Sequence, residues 1–360
     1  MNWSIRTNSS FQLNLFSRQN VERTAQALQK AGQEVATGRK ADIYTELGSR
    51  SASVMKLRIR EEDTQTYMQS NKLIANKLQL TINSMDKLRD TIQSVVETTF
   101  FDTSQAGSGA SLLQTQARAA LDELIGTMNT NFNGEHVFAG LASEVSPLTR
   151  YTQANPDTGL SPEDVINSIV GTGPTNVAEV STISAALDVV FNSADTGTPA
   201  RNYEETFFNG TKEFDAGGNE NRRITAWVAA GQELEYGVQA NDEAIRQTYK
   251  GLTMLIAADT TNMDTATYRA WVAEVSDTLA KGQEGLLQIS ARTGFNQEVV
   301  EKAQTQLRDL SLVQRNMITD YENVDPYEAI TRMTNMERQL EATYQVTARL
   351  SGLSILGFLR

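Results

Sequence analysis

Cysteine is absent from the 360-residue chain, and histidine occurs once, at His136. The first absence removes disulfide staples, thiol nucleophiles and thiolate metal sites. The second removes any two-imidazole metal site within one chain and leaves a His-based triad little to build on. A chain free of thiols also suits passage between compartments unfolded, where a free thiol would invite mispairing. Basic charge is short as well: 32 Lys and Arg stand against 44 Asp and Glu, for a net charge of −12. Nucleic-acid binding needs clustered Lys and Arg, so no nucleic-acid partner is expected. No apolar run approaches the roughly 20 residues of a membrane span, and no membrane partner is expected either. The opening Met1-Asn2-Trp3-Ser4-Ile5-Arg6 lacks the charged-then-apolar order of a cleavable signal peptide.

Proline is scarce and unevenly placed. Five of the six (Pro147, Pro156, Pro162, Pro174, Pro199) fall in one central window, and only Pro326 lies outside it. Proline removes a helix donor and clashes with the preceding turn, so long helices are expected on both sides of a non-helical middle. The flanks agree. Met68, Asn71, Ala75, Leu78, Ile82, Met85, Arg89, Ile92 and Val96 alternate steps of three and four, a heptad seam with two polar interruptions. After a loop at 102–109, Leu113, Ala117, Ala120, Leu124 and Met128 repeat the spacing, as do Val300, Ala303, Leu307, Leu310, Gln314, Met317, Tyr321 and Val324 near the other end. Each seam buries one stripe and needs a partner, which predicts that the two ends of the chain pack together. Asp325-Pro326-Tyr327-Glu328 writes a helix start: an N-cap carboxylate, proline at the first helical position and Glu at the third.

The middle reads differently. Segments 206–211, 223–228 and 233–238 look like short strands, with Asp215-Ala216-Gly217-Gly218 a turn between the first two. Helical patches at 162–170 and 177–191 complete an α+β segment, and helix resumes near Asn241. The expected fold is mainly α: a long helical bundle or coiled coil built from the N- and C-terminal segments, with a central β-containing α+β insert domain. The divisions are 1–42 and 325–360 for a terminal coiled coil, 43–142 and 240–324 for the bundle, and 143–239 for the insert. Residues 1–40 and 326–360 are each basic on balance, so all the acidity lies between them. That contrast suits ends buried in something and a middle facing water.

No catalytic constellation emerges. His136 has neither a second imidazole nor a neighbouring nucleophile, and reads as structural. Glu61-Glu62-Asp63 falls on a helix, where successive side chains point different ways. The pairs Gly107/Gly109, Gly171/Gly173 and Gly217/Gly218 match neither a phosphate loop nor a dinucleotide fingerprint, and are read as turns. Trp227 and Trp271 are read as core residues. No cofactor and no metal are expected.

At the ends the residues become recognisable. Gly32-Gln33-Glu34-Val35-Ala36-Thr37-Gly38-Arg39-Lys40 resembles the N-terminal segment of the flagellin family, where a helix ends at a Thr-Gly or Ser-Gly pair before a basic stretch. Leu353 to Arg360 resembles that family's C-terminal ending. Asn129-Thr130-Asn131-Phe132-Asn133-Gly134-Glu135-His136-Val137-Phe138-Ala139-Gly140 and Asp325-Pro326-Tyr327-Glu328-Ala329 are more similar to the family's hook–filament junction members than to its filament subunit. The resemblance covers roughly 11–145 and 240–360. It implies a non-enzymatic structural subunit exported unfolded through the flagellar type III apparatus, secreted to the extracellular flagellum without a cleaved signal. It implies self-association in a helical or ring assembly, contact with a neighbouring hook-associated protein and flagellin, and an export chaperone. It implies terminal segments disordered in the monomer that become a paired coil in the polymer. The candidate assembly residues are Leu13, Phe16, Val21, Leu28 and Val35 at one end, and Leu340, Tyr344, Leu350, Leu353, Ile355 and Leu356 at the other. Within the family the rival is the filament subunit. Outside it the rivals are a surface adhesin and a secreted enzyme whose insert carries a carboxylate site at Glu204, Glu205 and Asp215.

Overall fold

The structure, a computed structural model, describes the backbone of residues 4–101, 108–195 and 197–358, with side chains at 12, 15–99, 110–195, 197–261 and 263–349. In chain order the elements are α1 (Ser4–Thr37), α2 (Ile43–Leu47), α3 (Ser51–Phe101), α4 (Ser108–Met128), the hairpin β1 (Asn131–Phe132) and β2 (Glu135–His136), α5 (Pro162–Val170) and α6 (Val177–Phe191). A π-helical turn (Tyr203–Phe207), the hairpin β3 (Thr225–Ala229) and β4 (Gln232–Glu235), α7 (Glu243–Ala257), α8 (Thr265–Glu322) and α9 (Pro326–Phe358) follow. The chain is mainly α with small β-containing segments. It divides into two compact units: Met1–Thr66 with Arg308–Arg360, and Tyr67–Leu307. The predicted loop at 102–109 lies largely outside the described residues.

In the second unit the stripe of α3 that turns inward is Asn71, Ile74, Leu78, Thr81, Met85, Leu88, Ile92, Val95 and Thr99, all buried. It keeps the heptad steps but corrects the predicted phase: Ile82 and Arg89 only flank the stripe, and Thr81 and Leu88 occupy it. On α4 all five predicted positions, Leu113, Ala117, Ala120, Leu124 and Met128, are buried. Helices α7 and α8 run antiparallel and unusually close. A Cβ at Gly282 would stand 2.4 Å from Thr248 Oγ1, one at Gly285 2.6 Å from Ala244 Cβ, and one at Gly251 2.6 Å from Leu279 Cδ2. Glycine at those positions removes the atoms that would hold the helices apart.

Local chemistry explains the central elements. Ser161 and Asp164 form a reciprocal capping box, Asp164 N–H donating to Ser161 Oγ at 3.0 Å and Ser161 N–H to Asp164 Oδ2 at 3.0 Å, with Pro162 opening α5. Asn176 caps α6 by accepting from Glu179 N–H at 3.1 Å. The strand expected at 206–211 is not there. The chain instead turns through Tyr203–Phe207, because Tyr203 and Phe207, four residues apart, reach one face and pack with Phe191 and Tyr249 at ring-centroid distances of 5.5–6.0 Å. Phe208 keeps a single bridge to Leu148. Burial of four rings outweighs the local strand preference. These rings, with Val165, Ile166 and Leu187, belong to one continuous core that includes Ile245 and Leu252 of α7 and Tyr268, Trp271 and Leu279 of α8. Buried Lys250 of α7 reaches Asp188 of α6 at 2.6 Å.

The hairpin β3–β4 pairs Thr225 with Glu235 and Trp227 with Glu233, with a bulge before Ala229. Its inner residue Val228 packs on Ile74, Leu78, Val300 and Ala303. Asn71 Nδ2 donates to Val228 O at 2.8 Å and Asn296 Nδ2 to Glu235 O at 3.0 Å. Trp227 points the other way and is 53% exposed, so its assignment to the core is corrected, while Trp271 is buried. Alternation along a strand leaves only one of two neighbours inside.

Candidate assembly surface

The first unit joins the two ends of the chain. Helix α1 packs on α9. Among the described side chains, the fully buried ones on this pair are Thr24, Ala31 and Glu34 of α1 and Ala329 of α9. Small residues at heptad spacing let the helices approach but bury little apolar area. The large apolar side chains remain outside: Phe16 is 63% exposed, Tyr344 55%, and Leu15, Tyr327, Ile330 and Val346 are about half exposed or more. Of the predicted assembly residues, Phe16 and Tyr344 are therefore on the surface, and Val21, Leu28, Val35 and Leu340 are half-buried along the pair. The side chains of Leu13, Leu350, Leu353, Ile355 and Leu356 lie outside the described residues.

Where α1 ends and α9 begins, the two connections are sewn together. Val324 N–H donates to Gly38 O at 3.1 Å, Lys40 N–H donates to Glu322 O at 2.8 Å, and Arg39 bridges Asn323. Gly38 takes a positive φ of 69°, the left-handed value favoured after a helix C-terminus. On the opposite side the predicted start holds: Tyr327 N–H donates to Asp325 Oδ1 at 2.8 Å at the first turn of α9.

A buried carboxylate flanks this joint on each side, and each meets an arginine from the far end of the chain. Glu34 lies 3.1 Å from Arg332 Nη1 and accepts from Ala41 N–H at 3.2 Å. Glu322 accepts from Arg58 Nε at 2.9 Å and Nη2 at 2.6 Å. Desolvation and the neighbouring Glu34 carboxyl, with which it shares a hydrogen bond, raise the Glu46 pKa above its ordinary 4.5. Beyond the joint, α3 and α8 face each other through polar side chains. Gln65 Nε2 donates to Ser311 Oγ at 2.8 Å, Thr64 Oγ1 to Gln314 Oε1 at 3.1 Å, and Arg315 Nε to Glu61 at 2.8 Å. Here the sequence reading needs correction: Leu310 and Met317, expected in the seam, are exposed, and Ser311 is buried instead, while Gln314 is buried as expected.

The other candidates are absorbed by structure. His136 Nδ1 faces Asn129 O at 3.0 Å, which fits the structural reading. Glu204 accepts from Glu213 N–H and Asn241 Nδ2, each at 2.7 Å, Glu205 pairs with Lys212, and Asp215 holds the turn by accepting from Gly217 N–H at 2.8 Å. The three carboxylates thus serve separate local contacts. A cleft of about 600 Å³ is lined by residues including Arg223, Asp242, Arg246, Lys281, Glu284 and Arg292, a mixture of both signs. Among the described residues no cluster of three or more His, Asp or Glu gathers as a metal site, and no helix is long and apolar enough to cross a membrane.

The segments that pair as α1 and α9 are also the segments that match known proteins. The model of the bacterial flagellin N-terminal helical region matches residues 8–143, and that of the C-terminal helical region matches 281–359. The chain belongs to the bacterial flagellin family. Among solved structures, a protein assigned as flagellar hook-associated from Vibrio parahaemolyticus is similar at 11% identity and a TM-score of 0.50, covering 77% of this chain and 99% of its own. FlgL of Bacillus cereus is 14% identical over 74% of this chain and 98% of its own, with a TM-score of 0.45. No curated protein matches by sequence.

Proposed function

We propose that the chain is an adaptor subunit at the junction between flagellar hook and filament, delivered unfolded by type III export and completed by docking of its ends. The observation that carries this reading is the α1–α9 pair: two helices of 34 and 33 residues whose fully buried described side chains are small or charged, with Phe16, Tyr327 and Tyr344 left in water. A helix pair with so little core is marginal alone, and covering the exposed rings with neighbouring subunits supplies the missing burial. Partners of matching kind are further copies of this chain, a neighbouring hook-associated protein and flagellin, with an export chaperone before assembly. In the free chain, helix order fades outward from the Glu34–Arg332 pair.

Deletion of 325–360 tests the reading. The truncated chain is expected to remain folded by circular dichroism and to be lost from the flagellum by immunogold labelling, where the full chain marks a single band at the filament base. Labelling along the whole filament favours the filament subunit. An assembly-competent truncation, or protected amides to both tips in a dilute monomer, overturns the role given to the ends.

A further inference from the structure

The sequence Phe-Asn-Gly occurs twice in the chain, at 132–134 and at 208–210. Asparagine before glycine is a reactive pair. The glycine nitrogen has no adjacent side chain to shield it and can attack the asparagine side-chain carbonyl, closing a five-membered ring. Closure needs freedom in three parts: the asparagine amide, the glycine nitrogen and the backbone that joins them. The fold treats the two copies in opposite ways.

At Asn209 all three parts are held. Its Oδ1 accepts from Asn155 Nδ2 at 2.8 Å, and its Nδ2 donates to Thr149 Oγ1 at 3.1 Å and Ser146 O at 3.3 Å. The backbone is pinned on either side, Asn209 N–H donating to Pro147 O at 2.8 Å and Thr211 N–H to Ala139 O at 2.9 Å. Gly210 is hemmed in, since a Cβ there would stand 2.4 Å from Phe208 Cζ and 2.5 Å from Ala139 O. Ring closure at Asn209 therefore requires local unfolding first.

Asn133 and Gly134 instead form the two-residue turn of the β1–β2 hairpin, with positive φ values of 55° and 91°. Both are exposed, and the Asn133 side chain meets no hydrogen-bond partner among the described residues. A Cβ at Gly134 would meet nothing within 4 Å, so the surroundings of the nitrogen are open. The Gly134 N–H donates at 2.8 Å to Oδ1 of Asn131, itself exposed, and rotation of that one side chain releases it. The hairpin behind the turn pairs only Asn131 with His136 and Phe132 with Glu135, so little structure resists movement of the turn into the ring-closing geometry.

We propose that Asn133 is a site of spontaneous deamidation, carried out by the chain on itself with water as the sole co-reactant. Gly134 N gives its proton to solvent hydroxide and bonds to Asn133 Cγ. The Cγ–Nδ2 bond breaks, and Nδ2 takes a proton from water and leaves as ammonia. Water then opens the resulting succinimide. Attack at Cγ yields aspartate, whereas attack at the main-chain carbonyl of residue 133 yields isoaspartate, in which the backbone runs through the former side chain. Either product places a carboxylate two positions from Glu135, which meets Lys77 at 2.6 Å. Isoaspartate also lengthens the turn by one backbone atom and works against the pairing of Phe132 with Glu135.

The test compares the two asparagines within one molecule. Full-length chain is kept in warm, mildly alkaline buffer, either folded or in urea, until the urea sample has converted at both Asn133 and Asn209. Trypsin releases them on separate peptides, 119–150 and 202–212, and a sample digested at zero time subtracts conversion during digestion. In the folded sample, peptide 119–150 is expected to gain one mass unit, placed at residue 133 by fragmentation, with the two products separating as distinct chromatographic peaks. Conversion at Asn209 in the same sample is expected to be at least about tenfold slower. Asn133→Gln, which can close only a slower six-membered ring, should lose the mass gain while keeping the circular dichroism of the unmodified chain. A folded chain that stays unconverted at Asn133 shows that the hairpin protects the turn, and overturns the proposal. Folded chain converting at Asn133 and Asn209 at equal rates overturns it too, because the fold would then make no distinction between the copies.

Discussion

Glu34 and Arg332, 298 positions apart in sequence, meet at 3.1 Å with the glutamate side chain only 2% exposed. Glu322 and Arg58 repeat the arrangement on the other side of the joint, 264 positions apart. In each pair the carboxylate is enclosed and the arginine is partly in water. The fixed fork of a guanidinium suits such a contact better than an ammonium, because two donors can be directed at one carboxylate. Both pairs tie together segments from opposite ends of the chain, and both sit where helix gives way to the paired connections at 38–40 and 322–324.

Removing one partner should therefore be worse than never having the pair. Arg332→Ala leaves Glu34 buried without its cation, and the expected loss is about 3 kcal/mol in the opening free energy of residues 327–336. Native-state hydrogen exchange measures it. Glu34→Gln, which keeps an acceptor for Ala41 N–H, should cost less than half as much. Equal protection in all three proteins would mean that the pair does not hold α9.

The joint should respond to pH in a sense opposite to that of the helix caps. Desolvation and the Glu34 carboxyl raise the Glu46 pKa above 4.5. Its share of the folded stability is thus fully present below that value and is lost as pH rises through the folded pKa. Asp264 works the other way: hydrogen bonds from the Thr267 side chain and N–H hold it below its ordinary 3.8, so its share is present above that value and fades as acid is added. Limited proteolysis around residues 43–47 should accelerate as pH is raised from about 4.5 towards neutrality. Glu46→Gln should remove that dependence. Cleavage independent of pH in the unmodified chain would refute the coupling.

Much of this molecule could be read from residue order, and the misreadings share a cause. The stripe Leu113–Ala117–Ala120–Leu124–Met128 was legible because all five of its positions are apolar at unbroken steps of three and four, and the adjacent Leu121 and Ile125 only widen the same buried face. The start of α9 was legible because Asp325-Pro326 is cap chemistry, independent of tertiary context. At 310–317 two stripes of equal spacing run side by side, and periodicity does not say which one faces the partner. Leu310 and Met317 were chosen beside Gln314; Gln314 is inside as expected, but Ser311 joins it in their place because α3 offers both of them hydrogen-bond partners. Segment 206–211 failed since the pull on Tyr203 and Phe207 comes from Tyr249, far along the chain. Of the candidate assembly residues, Phe16 and Tyr344 are exposed rings, whereas the ion pairs of Glu34, Arg58, Glu322 and Arg332 at the joint were not read from the sequence. A signal existed: Glu34 stands three residues beyond Ala31 and ten beyond Thr24 on one line of α1, a lone charge where small uncharged residues are otherwise buried.

Glycine placement in α7 and α8 gives a prediction whose sign reverses between sites. Replacing a helical glycine by alanine normally stabilises by up to about 1 kcal/mol. At Gly126 of α4 an added Cβ meets nothing within 4 Å, so Gly126→Ala should follow that rule. At Gly282 the same atom would lie 2.4 Å from Thr248 Oγ1 and 3.1 Å from Thr248 N, a collision that side-chain rotation alone does not relieve. Gly282→Ala should therefore destabilise by about 2 kcal/mol through overpacking. Urea unfolding of the two variants reads the difference as midpoints moving in opposite directions. A stabilised Gly282→Ala would mean that α7 and α8 lie further apart than described.

The middle of the chain has its own strands and helices but no separate core. Phe191, Tyr203 and Phe207 pack against Tyr249 of α7, and Tyr203 Oη donates to Ala240 O at 2.8 Å, so the ring cluster is completed by residues outside 143–239. Buried Lys250 of α7 likewise closes on Asp188 of α6. A fragment of 143–239 thus exposes at least three rings and loses the cation that Asp188 meets. It should give no cooperative thermal transition, whereas the longer fragment 67–307, which retains the cluster, should unfold in one step by circular dichroism. Within that longer fragment, Tyr203→Phe removes a buried hydrogen bond while keeping the ring. The Ala240 carbonyl then loses its donor at a cost of about 1–2 kcal/mol. A cooperative transition in 143–239 alone would show that the rings hold together without α7.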